Sequence, residues 1–73
     1  MKITEFSIDE IHQKVAKLKE EDILTRLAWD GSASLRYGYG RGIHTIDGEG
    51  DTDIKRVNDI WEKLKIAIDY TEN

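Results

Sequence analysis

The chain has 73 residues, 36% of them charged, with a net charge of −4 and neither cysteine nor proline. That length allows one small domain, read here as residues 1–73, with no room for a separate catalytic lobe. The absence of cysteine excludes disulfide frameworks, thiolate metal sites and thiol nucleophiles, and the acidic total disfavours general duplex binding, which depends on clustered Lys and Arg.

Charge is unevenly spread. Residues 1–30 carry −2, residues 31–46 carry Arg36 and Arg41 with no acid, and residues 47–73 carry −4. The middle of the chain is therefore a cationic island. No apolar run reaches the roughly 18 residues of a membrane span, and Met1–Glu5 lacks the apolar core of a signal peptide, so a cytoplasmic protein without membrane contact is expected.

The first element opens with Ser7-Ile8-Asp9-Glu10, a capping box, with Phe6 placed to staple onto Ile11. Ile8, Ile11, Val15 and Leu18 recur at helical spacing, and Ile23, Leu24, Leu27 and Ala28 continue it after a phase shift at Glu20-Glu21-Asp22. This pattern predicts one bent helix, in preference to a second short helix from Asp22 to Trp29. Gly31 is the expected left-handed residue at its C-terminus.

Next comes Leu35-Arg36-Tyr37-Gly38-Tyr39-Gly40-Arg41-Gly42-Ile43-His44. Alternation and β-branched residues predict a hairpin with Gly40-Arg41 as a type II′ turn. Tyr39 then faces Gly42, Tyr37 faces His44 and Leu35 faces Ile46. Leu35, Tyr37, His44 and Ile46 share one face, and Arg36, Gly38, Ile43 and Thr45 share the other. At least one face must pack on helices.

Asp51 or Thr52 caps the last helix, whose apolar stripe comprises Ile54, Val57, Trp61, Leu64 and Ile68, flanked by Ile60 and Ala67. Ile66 lies off that stripe. The expected fold is a small α+β domain, α-β-β-α, with a Gly/Tyr-rich hairpin between two amphipathic helices. The competing picture is an all-α helical hairpin with a long loop, which loop-length preferences disfavour. Two apolar stripes also suggest self-association through the helix faces.

The hairpin is the one stretch whose chemistry is not plainly structural. Its tyrosines cover the helices in the plainest reading. As a contact surface, Arg36, Tyr37, Tyr39, Gly40, Arg41 and His44, with Trp29 beside them, offer the residue types that most often anchor protein interfaces. Alternatively, backbone N–H groups and Arg41 hold a phosphate-bearing ligand, or a tyrosine stacks on a single-stranded nucleic acid. The stretch lacks the spacing of dinucleotide and P-loop fingerprints.

Other constellations are weaker. Asp47, Glu49, Asp51 and Asp53 alternate like a calcium loop, but the sixth and twelfth positions are Thr52 and Asn58 where Gly and Glu are required. His12 and His44 have no His at metal-ligand spacing, and no Ser has a base-and-acid constellation. No metal, cofactor or catalytic residue is expected. Glu20, Glu21, Asp22, Asp59, Glu62 and Asp69 raise the alternative of an acidic nucleic-acid mimic, opposed by interleaved lysines.

A short acidic chain without Cys or Pro is similar in broad character to accessory proteins of phages and mobile elements, a likeness that assigns no residue a role. The expected function is a non-enzymatic protein-interaction module acting through the hairpin surface.

Overall fold

The computed structural model describes residues 5–70 and arranges them as α1 (Ile8–Glu20), β1 (Arg26–Asp30), β2 (Ser34–Tyr39), β3 (Gly42–Asp47) and α2 (Asp53–Ala67). The strands form one antiparallel meander in the order β1-β2-β3. The fold is thus a small α+β domain in which the hairpin is joined by a further strand. Among the described residues no helix is long and apolar enough to cross a membrane.

α1 starts where the capping box places it. The Ser7 hydroxyl accepts the Glu10 N–H at 3.1 Å, and the Glu10 carboxylate accepts the Ser7 N–H at 3.0 Å. Each satisfies a donor that the first helical turn leaves free. Ile11, Val15 and Leu18 are buried along one face.

The predicted continuation of this helix to Trp29 is overturned. Asp22 takes a left-handed conformation with φ of 63°, its N–H donates to the Lys19 carbonyl at 3.0 Å, and the Ile23 N–H donates to the Leu18 carbonyl at 2.9 Å. This is a Schellman closure, with Asp where Gly is usual. Beyond it Leu27 and Trp29 alternate with exposed Arg26, Ala28 and Asp30, the period of a strand. Gly31, with φ of 60°, belongs to the turn between β1 and β2 and not to a helix end.

The register of β2 on β3 is the expected one: Leu35 opposite Ile46, Tyr37 opposite His44, Tyr39 opposite Gly42. Gly40 carries φ of +65° while Arg41 stays at negative φ, the φ signature of a type II′ turn. Thr52 caps α2 by accepting the Lys55 N–H at 3.3 Å.

Both helices lie against the same side of the sheet. Their stripes meet Leu35, Tyr37 and Ile46 in one core, with Trp61, Ile11, Leu18, Leu24, Leu35, Ile60 and Leu64 essentially inaccessible. Burying each such aliphatic side chain contributes roughly 1.5–3 kcal/mol. The helix faces are thus filled within one chain, and among the described residues the large apolar side chains left outside are Tyr39, Ile43 and Ile66.

Candidate functional site

Among the described residues helices cover only one side of the sheet, so alternation along each strand decides what the other side shows. The register places three rows across that open side: Arg26, Gly38 and Ile43; then Ala28, Arg36 and Thr45; then Asp30, Ser34 and Asp47. Arg36 occupies the centre, with Ala28 and Thr45 as its cross-strand neighbours. Shallow grooves flank it, one toward Asp30 and Thr45, the other toward Lys19 and Arg26. The face is cationic at the hairpin end and acidic at the end by the β1–β2 turn.

Gly38 in this lattice is required by a close approach. A Cβ there would lie 3.1 Å from the Arg26 backbone nitrogen and closer still to the Thr25 hydroxyl. The absence of a side chain lets β1 lie flat against β2, which brings Arg26 and Arg36 onto one surface.

The cations of α2 and those of the sheet differ in their pairing. Arg56 donates to the Gly50 carbonyl at 3.0 Å and pairs with Asp53. Lys63 pairs with Asp59 at 2.9 Å and with Glu49 at 3.6 Å, and donates to the Asp47 carbonyl at 3.1 Å. Lys55 pairs with Asp51 at 3.2 Å and Lys65 with Glu62 at 2.7 Å. Arg26, Arg36 and Arg41, by contrast, make no ion pair and no side-chain hydrogen bond among the described residues.

The same pairings reach into the acidic clusters. The alternating carboxylates of residues 47–53 turn to different partners: Asp51 to Lys55, Glu49 to Lys63, and Asp53 to Arg56 and the Ser32 hydroxyl at 2.7 Å. Two members of the acidic row, Asp59 and Glu62, are each held by a lysine. Ser32, followed by Arg56, keeps the Asp53 carboxyl below the usual carboxylate range, and Lys63 does the same for Asp59.

The sequence-predicted contact set divides across the sheet. Tyr37 is 4% exposed and belongs to the core, where burial raises its phenol pKa above the ordinary value. Tyr39 lies on the helix side too, its hydroxyl donating to the Ile68 carbonyl at 3.4 Å. His44 packs tilted against Tyr37 with ring centroids 5.3 Å apart, and its Nε2 lies 3.2 Å from the Tyr39 carbonyl oxygen. Trp29 stacks on His12 at 4.4 Å. Of the residues singled out, Arg36 alone stands on the open side, while Gly40 and Arg41 form the turn at its edge.

Arg26 escaped the sequence reading because it was assigned to a helix. The alternation of residues 25–30, with Leu27 and Trp29 apolar between polar or small neighbours, is the signal that finds it. Every aromatic ring borne by a strand therefore points toward the helices, and the open side offers two guanidinium groups, one isoleucine, the Asp30 and Asp47 carboxylates and small side chains.

Compared with protein-family models, curated proteins and solved structures, the chain matches none.

Proposed function

We propose that this chain is a non-enzymatic protein-interaction module whose contact surface is the open side of the sheet, centred on Arg36 and flanked by Arg26 and Ile43. Its partner presents an acidic surface. One observation carries the reading: in a chain with a net charge of −4, the arginines of this side have no acidic partner among the described residues, whereas Lys55, Arg56, Lys63 and Lys65 of α2 are each paired. Unpaired guanidinium groups offer bidentate recognition of carboxylates, and Ile43, 53% exposed, adds an apolar anchor beside them.

The same surface is poorly suited to a nucleic acid. Single strands are held by stacking on aromatic rings, and here Trp29, Tyr37 and Tyr39 face the other way. Asp30 and Asp47 close one end of the surface and repel a phosphate backbone.

The test is capture from host extract by the wild-type chain and by Arg36→Ala, with and without nuclease, each variant first shown to melt like the wild type. A protein that is retained through nuclease treatment, released by rising salt and lost with Arg36→Ala is the expected result. Release by nuclease, or retention indifferent to Arg36→Ala, overturns the reading.

A further inference from the structure

The meander ends in an edge strand, and the bonding pattern shows which backbone groups that edge presents. The Gly48 N–H donates to the Ala33 carbonyl at 2.8 Å, so residues 42, 44, 46 and 48 aim their backbone groups at β2. Ile43, Thr45 and Asp47 aim theirs away from the sheet. The outward carbonyl of Asp47 is taken by the Lys63 ammonium at 3.1 Å. Among the described residues Ile43 and Thr45 have no backbone hydrogen bond from outside the strands.

β3 also lacks the devices that usually blunt an edge. It contains no proline and no lysine, and Ile43, Thr45 and Ile46 give it a β-branched sequence. β1, the opposite edge, is shorter and carries Arg26 and Asp30. A free, extended and mostly uncharged edge is a template for one more strand.

Arg41, in the turn just before β3, and Asp47, at its far end, say which strand fits. An antiparallel copy of the same strand, related by a twofold axis at His44, sets Ile43 opposite Thr45 of the second copy and Arg41 opposite its Asp47. The outward-facing residues then meet each other, so each Ile43–Thr45 pair exchanges both main-chain hydrogen bonds. Arg41, which has no ion pair among the described residues, meets an Asp47 carboxylate at either end of the seam. A register one pair longer or shorter loses this match and sets Asp47 against Ile43, or Arg41 against Thr45.

We propose that β3 is the seat of a symmetric homodimer, in which two copies pair edge to edge about His44 and join their three-stranded sheets into one continuous sheet with reciprocal Arg41–Asp47 ion pairs. The interface is isologous and closes on itself, so association stops at two. Arg26 and Arg36 remain uncovered on the open side. The inference does not rest on the acidic-partner reading and stands or falls separately from it.

The experiment is sedimentation velocity from about 1 µM to about 1 mM, spanning the range in which a weak dimer dissociates. The variants are Thr45→Pro, Arg41→Asp, Asp47→Arg and the double exchange Arg41→Asp/Asp47→Arg, with amide exchange of Ile43 and Thr45 followed at both ends of the range. The expected result is a concentration-dependent dimer that is lost in each single charge variant and restored in the double exchange. The Ile43 and Thr45 amides should become protected as the dimer forms. Thr45→Pro removes an outward N–H that the monomer does not use, and is expected to abolish the dimer while leaving the dilute melt near that of the wild type. A monomer throughout the range overturns the proposal. So does a dimer indifferent to the charge variants, or one in which the Ile43 and Thr45 amides stay unprotected.

Discussion

Asn58 on α2 holds Phe6 by both of its backbone groups: the Phe6 N–H donates to Oδ1 at 3.0 Å, and Nδ2 donates to the Phe6 carbonyl at 2.8 Å. The same amide also bonds the Ile54 carbonyl at 2.8 Å. A side chain of the last helix thus does for the segment before α1 what a neighbouring strand would do. Asn58→Ala leaves partly buried backbone groups without partners and should cost about 1–3 kcal/mol. The urea midpoint of the variant against the wild type measures it, and an unchanged midpoint contradicts the role.

Both helices end on an aspartate in the left-handed region, Asp22 with φ of 63° and Asp69 with φ of 55°. The Tyr70 N–H donates to the Lys65 carbonyl at 2.8 Å, repeating the closure made by Ile23 on Leu18 at 2.9 Å. A negative charge at a helix C-terminus opposes the dipole, and a Cβ in this conformation costs roughly 1–2 kcal/mol. Asp22→Gly and Asp69→Gly should therefore each stabilise the protein, by up to about 1 kcal/mol after the entropy that Gly loses on folding. Calorimetric melting temperatures should rise in both variants and rise further in the pair.

Acid should weaken the fold through Asp53 and Asp59. The Ser32 hydroxyl, and then Arg56, lower the first carboxyl, while Lys63, and then the Glu49 N–H, lower the second. A carboxyl lowered in the folded state binds fewer protons there than in the unfolded chain. Its stabilisation is full above the ordinary value of about 4 and drains away as pH falls through the lower folded-state value. Denaturant midpoints measured across the acid range should fall less steeply in Asp53→Asn/Asp59→Asn than in the wild type.

The two hairpin tyrosines should behave differently. Tyr37, in the core, loses its packing on truncation, and Tyr37→Ala should cost about 3–5 kcal/mol. Tyr39→Phe removes only a long bond to the Ile68 carbonyl and should cost at most about 1 kcal/mol. Chemical denaturation separates the two. Loss of partner binding in Tyr37→Ala would then report unfolding and not a lost contact.

The hairpin was legible because its turn and its alternation agree. Gly40 supplies the positive φ, and once the turn is placed every pair from Tyr39–Gly42 to Leu35–Ile46 follows with its face. β1 was hidden because Ile23, Leu24, Leu27 and Ala28 also fit helical spacing, and because the helix stop is Asp22, a residue that takes the left-handed region far less often than glycine. That error concealed Arg26 and with it half of the cationic surface. The division of the contact set had a simpler origin: the alternation that sends Arg36 outward sends Tyr37 and Tyr39 inward, a consequence available from sequence once one side of the sheet is known to be covered.

The strand order follows chain order, with connections of two residues at Gly40-Arg41 and three at Gly31–Ala33. Each strand therefore finds its neighbour by closing a short loop, whereas the packing of α1 on α2 joins segments from opposite ends of the described chain. Closing short loops requires little search, and the longest closure is entropically the most costly. The kinetic order this implies is hairpin pairing first and helix docking last. Because the chain contains no proline, refolding also has no slow isomerisation phase of tens of seconds. Unfolding along the same path in reverse separates the helices before the sheet frays, and exposes the buried ring of Tyr37 together with the half-buried ring of Trp29.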